Sequence, residues 1–261
     1  MADWALILGS SSGFGEAATL AFAEAGYNVY GIHLDRKSTL AHVDEVVEAL
    51  KETGAEVEFF NLNAADPEKR REVVQHIAER LRESGDKVRV LLHSLAFGTL
   101  KPYIDPEGKA GIAQREVEMT LDVMANTLVY WVQDVVRTGL MGEGGRIFSM
   151  TSTGDNHAWY SYGAVSAAKA ALEAHTRQLA LELAPFGITV NAIRAGVTDT
   201  PALRKIPGHE EMIEFATGRN PHGRLTTPQD VARALVALAR PETQWMTGNV
   251  IGVDGGEEIA G

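Results

Sequence analysis

The sequence has no cysteine among its 261 residues, which excludes disulfide bonds, thiolate metal sites and a cysteine nucleophile. Basic residues are scarce, since 24 Lys and Arg stand against 35 Asp and Glu, a formal net charge of −11. Binding to nucleic acid needs clustered basic side chains, so it is not expected. No apolar run approaches the roughly 20 residues that cross a bilayer, and the start, Met1-Ala2-Asp3-Trp4, lacks the positive charge of a signal peptide. These absences predict an acidic protein of the cytoplasm that binds neither membrane nor nucleic acid.

Apolar residues make up 45% of the chain, enough to bury a large core. Short continuous apolar runs, typical of buried strands, alternate with longer amphipathic stretches, typical of helices. This alternation predicts a parallel sheet with right-handed crossovers. We expect a single α/β domain over residues 1–261, a Rossmann-type doubly wound parallel sheet of about seven strands with helices on both faces. The expected strands are residues 4–8, 29–34, 57–62, 88–93, 146–150, 188–193 and 249–253.

Two kinds of segment stand out between these strands. Residues 116–140 are apolar all round and predict one long buried helix, and residues 163–183 predict an alanine-rich helix. The stretches 99–111 and 196–227 are irregular. Both follow the end of a strand, where open α/β sheets bind their ligands. We therefore expect them to wall a substrate pocket, with residues 196–227 as a lid.

Three glycines, Gly9, Gly13 and Gly15, join the first expected strand to the first helix. Glycine lets the backbone turn sharply and approach a pyrophosphate closely. The free N–H groups at the start of the helix then bind the phosphates. We expect this turn, including Ser11 and Phe14, to bind a dinucleotide.

The Gly-x3-Gly-x-Gly spacing resembles that of the short-chain dehydrogenase/reductase superfamily, and further matches follow in order along nearly the whole chain. Asn63 stands where the superfamily has an acidic residue that contacts adenine. Ser94 lies in the matching segment after the fourth strand. The resemblance implies that both residues bind the cofactor. The other matches are Asn191-Ala192-Ile193-Arg194-Ala195-Gly196 and Val253-Asp254-Gly255-Gly256.

The residues after the second strand distinguish NAD from NADP. A carboxylate there accepts a hydrogen bond from the ribose 2′-OH, whereas a basic group pairs with a 2′-phosphate. Counted from Gly15, the acidic position falls on His33 or Leu34, and Asp35 comes one or two residues late. Arg36 lies where it can pair with a 2′-phosphate. We therefore expect NADP as the cofactor, with NAD as the alternative.

The usual catalytic signature of the superfamily, Tyr-x3-Lys on a helix, is broken in this chain. The lysine is Lys169, but Val165 occupies the tyrosine position. Tyr162 lies seven residues before Lys169, about 700° around a helix or roughly 20° short of two turns. Both side chains can therefore lie on one helix face, about 10 Å apart along the axis. The resemblance implies that Lys169 holds the nicotinamide ribose and lowers the pKa of the tyrosine, which exchanges a proton with the substrate oxygen.

Three departures from the usual pattern agree with one branch of the superfamily. Tyr-x6-Lys is the spacing of the enoyl-acyl-carrier-protein reductases, the pair His93-Ser94 resembles the same enzymes, and Met124 replaces an asparagine of ordinary members. Ser152 stands where ordinary members keep a catalytic serine and the best-known enoyl reductases have a second tyrosine. This mixture resembles the type III bacterial enoyl reductases. It implies Tyr162, Lys169 and Ser152 as catalytic residues.

The resemblance implies reduction of the C2=C3 double bond of an enoyl thioester, enoyl-ACP or enoyl-CoA, with NAD(P)H in fatty acid synthesis. The tyrosine would stabilise the enolate oxygen, and residues 200–217 would form a mobile lid. Two alternatives remain open: carbonyl or alcohol redox by a member whose tyrosine has moved, and a non-catalytic dinucleotide-binding regulator. The residues expected to hold the carboxamide and phosphate are Gly196, Val197, Thr198 and Thr200.

Partners are expected from charge and from the superfamily. An acyl carrier protein is acidic, so a chain of charge −11 needs a local basic patch to dock it. Superfamily members are usually tetramers, and the helix at 163–183 offers an apolar face for assembly. The eight histidines show no metal-ligand spacing, so no metal site is expected. The basic residues that can form the patch, or else lie as scattered solvated charges, are Arg204, Lys205, Arg219 and Arg224.

Overall fold

The computed structural model describes residues 2–108, 111–155 and 157–260. Seven strands of this part of the chain form one parallel sheet in the order β3-β2-β1-β4-β5-β6-β7. Helices cover both faces, so the predicted doubly wound Rossmann-type fold is confirmed. The strands are β1 (Asp3–Leu8), β2 (Asn28–His33), β3 (Val57–Asn61), β4 (Lys87–His93), β5 (Arg146–Thr151), β6 (Thr189–Ala195) and β7 (Val250–Val253).

The helices fill the crossovers between the strands. None of those within the described residues is long and apolar enough to cross a membrane. They are α1 (Gly13–Glu24), α2 (Leu40–Glu52), α3 (Pro67–Ser84), α4 (Gln114–Leu121), α5 (Thr127–Arg137), α6 (Gly163–Leu183), α7 (His209–Arg219) and α8 (Pro228–Leu238).

The central strand β1 explains why the strands are apolar throughout. Its successive side chains point to opposite faces of the sheet. Leu6 and Leu8 pack into the apolar cluster on one face, and Ala5 and Ile7 into the cluster on the other. All four are fully buried. A strand buried on both faces has no polar alternation, as the sequence indicated.

The helix expected over residues 116–140 is not continuous. It is divided into α4 and α5 by a π-helical turn, Asp122–Asn126, and it ends at Arg137. On either side of this turn, the hydroxyls of Thr120 and Thr127 donate to the carbonyls of Glu116 and Val123. A π turn inserts one extra residue into a helix and shifts its register. In a segment with apolar residues on every side, this shift does not interrupt the apolar pattern. Periodicity alone therefore does not reveal it.

The stretch expected to be irregular between residues 196 and 227 contains a helix. α7 covers His209–Arg219, and a short 3₁₀ turn covers Leu203–Lys205. Only Ala216 of α7 is fully buried. Because helices on the surface are recognised by their apolar stripe, a helix with so little buried surface gives almost no periodic signal.

Candidate active site

The candidate site lies where the strand order reverses, between β1 and β4. In open α/β sheets this switch point is where ligands bind, beyond the carboxyl ends of the strands. Gly9 follows β1 and Ser94 follows β4. The Ser94 amide donates to the Leu8 carbonyl, and a Cβ on Gly9 would lie 2.5 Å from the Ser94 carbonyl oxygen. The structure thus brings two of the predicted cofactor residues into direct contact.

The turn from Gly9 to Gly15 is folded tightly against β2. The amides of Gly9 and Ser10 both donate to the Ile32 carbonyl, at 2.8 and 3.1 Å. A Cβ on Gly15 would overlap the Gly9 carbonyl oxygen. The Ser12 side chain makes no capping bond to the described residues at the start of α1. The backbone amides there remain available to donate hydrogen bonds to a phosphate, and a dinucleotide site at this turn needs such free amides.

Gly15→Ala is expected to raise the dissociation constant for the cofactor more than tenfold, because the new Cβ cannot coexist with the Gly9 carbonyl. Titration of the cofactor against protein fluorescence measures this. Gly26→Ala is the control: Gly26 follows the end of α1 with a positive φ of 89°, and a Cβ there would meet no atom within 4 Å. It should lower stability by about 1 kcal/mol and leave binding intact. If Gly15→Ala bound the cofactor as tightly as the wild type, the predicted role of the glycine turn in cofactor binding would be wrong.

Asp35 lies between the end of β2 and the glycine turn. Its carboxylate accepts a hydrogen bond from the Thr39 hydroxyl at 2.7 Å and contacts the His33 ring at 2.9 Å, and the Ser11 side chain of the glycine turn lies beside it, outside ideal hydrogen-bond geometry. Burial raises the pKa of Asp35, but these interactions outweigh it and hold the pKa below its ordinary value. The side chain is therefore an anion at neutral pH. Arg36, the predicted ligand of a 2′-phosphate, is exposed beside it.

Asn61 holds this corner in place, and sequence reasoning missed it. Its side chain accepts from the Asp35 amide and donates to the Asp35 carbonyl, both at 3.0 Å. Asn63, the predicted adenine contact, follows β3 and is exposed. The Asn63 side chain accepts from the Ala65 amide. Its role towards adenine stays a prediction.

The segment after β6 reaches back to the glycine turn. The Thr200 methyl would lie 3.6 Å from a Cβ on Gly13. The Thr198 hydroxyl donates to the Gly196 carbonyl, and the Val197 amide donates to the buried carboxylate of Glu257 at 3.2 Å. These donors are engaged inside the protein. The binding of a carboxamide and phosphate by this segment stays a prediction.

Tyr162 is the residue that precedes the first turn of α6. Its ring packs against Gly154, where a Cβ would lie 2.5 Å from the ring and 3.3 Å from Ser152 Oγ. Burial raises the pKa of Tyr162, while the neighbouring Ser152 hydroxyl, outside ideal hydrogen-bond geometry, lowers it. The net shift is upward, opposite to the direction that the resemblance implies. The phenol is therefore a neutral donor at physiological pH.

Lys169 lies two turns further along α6 and is 7% exposed. Its ammonium donates to the Met150 carbonyl at the end of β5, at 2.7 Å. Burial lowers the pKa of Lys169 to about 8, and the nearby Glu173 carboxylate opposes that shift. Tyr162 contacts residue 152 and Lys169 contacts residue 150. The two predicted catalytic side chains thus meet the same strand end.

Val165, in the usual tyrosine position, and Met124, in the usual asparagine position, face one space. A Cβ on Gly98 would lie 3.0 Å from Met124 Sδ and 3.0 Å from Val165 Cγ2. Both side chains are buried in the apolar cluster on this face of the sheet. The two departures from the usual signature therefore pack together. The polar site of ordinary members is filled with apolar atoms in this chain.

His93 lies beneath the site. The Thr127 hydroxyl donates to the Val123 carbonyl, so His93 Nε2–H donates to Thr127 Oγ1, at 2.8 Å. Burial, followed by the Lys169 charge, lowers the pKa of His93 to about 3. The imidazole is neutral and fixed in one tautomer by the π turn.

The basic residues predicted to dock an acyl carrier protein are largely engaged within the chain. Arg204 pairs with Asp199, and Arg224 pairs with Asp230. Arg219 donates to the carbonyls of Glu258 and Ala260. The structure therefore gives these side chains separate partners instead of one shared patch.

The chain is similar to known reductases along nearly its whole length. A family model described as Enoyl-(Acyl carrier protein) reductase matches residues 9–258. The 3-oxoacyl-[acyl-carrier-protein] reductase of Thermotoga maritima is 29% identical over 96% of this chain and 96% of its own length. The 1-cyclohexenylcarbonyl-CoA reductase of Streptomyces collinus is 26% identical over 97% of this chain and 86% of its own length. The solved structure of the enoyl-(acyl-carrier-protein) reductase from Anaplasma phagocytophilum, in complex with NAD, matches with a TM-score of 0.84 at 22% identity, covering 99% of this chain and 93% of the other.

Proposed function

Because the chain belongs to the short-chain dehydrogenase/reductase superfamily, in its enoyl reductase-like branch, we propose that it reduces the C2=C3 double bond of an enoyl thioester. It is an oxidoreductase with a nicotinamide dinucleotide cofactor. The observation that carries the finer proposal is the position of the tyrosine. Tyr162 stands at the start of α6 beside Ser152, while the usual tyrosine position is occupied by the buried Val165.

The described residues fit a dinucleotide. The glycine turn has no room for side chains at Gly9 and Gly15, and the Ser12 side chain does not cap the first amides of α1. When bound, the reduced nicotinamide supplies the hydride that adds to C3 of the substrate. The enolate that results takes up a proton at C2 from solvent, which completes the reduction. Binding, orientation and stabilisation of the enolate oxygen fall on the chain itself.

Tyr162 would serve the thioester oxygen, which gains negative charge as C3 is reduced. A neutral phenol donates a hydrogen bond to that oxygen and stabilises the enolate as an oxyanion hole does. The raised pKa of Tyr162 keeps the donor protonated. The Lys169 ammonium would hold ribose hydroxyls and add positive charge behind the phenol. Val165 and Met124 are buried in the apolar cluster and would offer no polar group to water or substrate.

Oxidation of NADH and NADPH with crotonyl-CoA, followed at 340 nm, tests the proposal. We expect turnover with the enoyl thioester and little with acetoacetyl-CoA or simple ketones.

A second candidate, carbonyl reduction, is favoured by Ser152, which lies beside the phenol as the catalytic serine of ordinary members would. Turnover with ketones and none with the enoyl thioester would establish that second function and overturn the first.

For the cofactor we propose NADH, in place of the NADPH expected from the sequence. The Ser11 side chain of the glycine turn lowers the pKa of Asp35, which is anionic there, whereas Arg36 is exposed. A carboxylate at this corner accepts from a ribose 2′-OH and repels a 2′-phosphate. NADPH is the alternative that Arg36 supports.

Asp35→Asn should shift the ratio of kcat/KM for NADPH over NADH by about tenfold towards NADPH, since it removes the charge and keeps a group that can bond Thr39. Arg36→Ala is the matched variant and should leave kcat/KM for NADH unchanged. Steady-state kinetics with both cofactors measure these ratios. A wild-type preference for NADPH that Arg36→Ala abolishes would reverse the assignment.

For the carrier we propose coenzyme A over an acyl carrier protein, because three of the four predicted docking arginines and lysines are paired internally.

Assembly into a homotetramer is a further proposal. Ala167, Ala170 and Ala174 form an exposed small-residue face on α6, and Ala170→Glu should dissociate the tetramer in size-exclusion chromatography. A role in fatty acid synthesis and a place in the cytoplasm stay predictions from the sequence.

A further inference from the structure

A row of charged side chains runs from the C-terminal turn to the catalytic helix. Arg194, near the end of β6, donates from Nη1 to both carboxylate oxygens of Glu258, at 3.0 and 3.1 Å. Its Nη2 donates to Glu173 Oε1 at 3.2 Å. One guanidinium therefore joins the C-terminal turn to α6. Hydrogen bonds between charged groups, as here, are shorter and stronger than those between neutral groups.

Glu173 is buried one turn beyond Lys169 on α6. Besides Arg194, it accepts from the Thr151 hydroxyl at the end of β5, at 2.8 Å. Its side chain is 9% exposed, and that of Arg194 is 16% exposed. Charges removed from water to this degree are screened weakly, so they act on one another more strongly than surface charges. Nothing in the proposed chemistry accounts for this buried pair.

The C-terminal turn is itself fixed by hydrogen bonds. Asp254 accepts from the amides of Gly256 and Glu258, both at 3.0 Å. Arg219 of α7 donates to the Glu258 carbonyl at 2.8 Å. Glu258 is therefore presented to Arg194 by backbone that is held on two sides. The arrangement joins the C-terminus, β6 and α6 into one network.

We propose that Glu173, Arg194 and Glu258 are positioning residues that act through charge on Lys169, so that the C-terminal turn is a working part of the active site. The inference rests on the proposed function only in taking Lys169 as the lysine that the reaction needs. Glu173 acts directly and favours the ammonium. Arg194 weakens that effect, and Glu258 restores part of it by drawing the guanidinium towards the C-terminal turn.

The other groups that face Lys169 in the described part of the chain do not compete with this network. β4 contributes His93, which is neutral. β5 contributes the Met150 carbonyl and the Thr151 hydroxyl. α6 contributes Tyr162 at its start, which is also neutral. Glu173 is the charge that raises the pKa of Lys169 against the effect of burial.

Three single variants separate a charge effect from a structural one, because they move the lysine pKa in different directions. Glu173→Gln should lower it by about one unit, the effect of an opposite charge at this range. Arg194→Gln should raise it, and Glu258→Gln should lower it by less than Glu173→Gln. The double variant Glu173→Gln, Arg194→Gln should return towards the wild-type value. Purely structural damage would move all of them the same way.

The measurement is the pH titration of the lysine Nζ resonances in ¹⁵N-lysine-labelled protein. The Lys169 signal is assigned by its loss in Lys169→Met. Glu182→Gln on the exposed end of α6 and Arg233→Gln on α8 are the matched controls, and both should leave the titration unmoved. Glu258 is the most exposed member of the network, so Glu258→Gln should fold. It can be measured even if Glu173→Gln does not fold.

The same variants are then assayed for the pH at which kcat/KM for enoyl reduction falls on the alkaline side. The expected result is that this limb moves with the lysine titration. Equal or absent shifts in all three variants would overturn the network while leaving the proposed reaction standing. Shifts of the expected signs in a protein without enoyl turnover would support the network and defeat the proposed reaction.

Discussion

Tyr162→Phe is expected to lower kcat for enoyl reduction by about 10²- to 10³-fold, the usual cost of removing one donor from an oxyanion. The ring remains and continues to pack against Gly154, so the fold and the cofactor dissociation constant should be unchanged. Because only the hydroxyl is lost, the effect falls on the transition state and appears in kcat and kcat/KM together. Stopped-flow or steady-state oxidation of NADH with crotonyl-CoA measures it.

Tyr160→Phe is the matched control for that result. Tyr160 precedes Tyr162 by two residues and is 61% exposed to solvent. Loss of the Tyr160 hydroxyl should therefore leave kcat within twofold of the wild-type value. The reverse pattern, with Tyr160 essential and Tyr162 dispensable, would refute the assignment. Adding Val165→Tyr to Tyr162→Phe should not restore activity. The valine is packed against Gly98 and Met124, and a phenol there would overpack the core.

Lys169→Met is expected to lower kcat/KM by at least 10²-fold without lowering the melting temperature. The reason is electrostatic. Burial lowers the pKa of Lys169 from 10.5 to about 8, so the fold disfavours the ammonium, and at neutral pH this costs about 3 kcal/mol. Methionine removes that cost but leaves the Met150 carbonyl without its donor, a loss of about 1–3 kcal/mol. The relief equals or exceeds the loss, and the variant should melt at or above the wild-type temperature.

The pH dependence of the wild type follows from the same group. The proposed mechanism needs the Lys169 ammonium, so the lowered pKa of Lys169 means that kcat/KM should fall as the pH rises through about 8. The stability cost of the buried ammonium acts below that pH and disappears as the pH approaches the unfolded pKa of 10.5. Lys169→Arg is the control: its charge persists across the range, so its residual activity should lack the alkaline limb. If Lys169→Met kept normal activity, the ammonium of Lys169 would have no role in the mechanism.

Features that depend on neighbours in sequence were predictable. The glycine turn at residues 9–15 is one, because any side chain at position 15 would overlap the Gly9 carbonyl. The spacing of Tyr162 and Lys169 is another, because helix geometry fixes which side chains share a face. Glu173 lay within reach of the same reasoning, since it follows Lys169 by one helical turn. Charge patterning alone, however, does not tell a buried carboxylate from a solvated one.

Features that depend on distant residues were not predictable. The sequence favoured Arg36 as the ligand of a 2′-phosphate, and that stays a prediction. It gave no sign that Asn61, 26 residues after Asp35, holds the Asp35 backbone, or that Ser11 lies beside the Asp35 carboxylate. The π turn between α4 and α5 left no mark in the apolar pattern. The contact between Arg194 and Glu258 spans 64 residues. No periodic signal connects positions so far apart.

By itself, the sequence determined the alternation of strands and helices, the glycine turn after the first strand and the seven-residue spacing of Tyr162 and Lys169, because these follow from local backbone geometry and short spacing. Tertiary structure alone decided which charges face the site. In the sequence, Asp35, Glu173 and Arg194 look like ordinary polar residues. The folded sheet places Asp35 beside the glycine turn, and Glu173 and Arg194 near Lys169. Their influence depends on burial and distance, and both quantities exist only after folding.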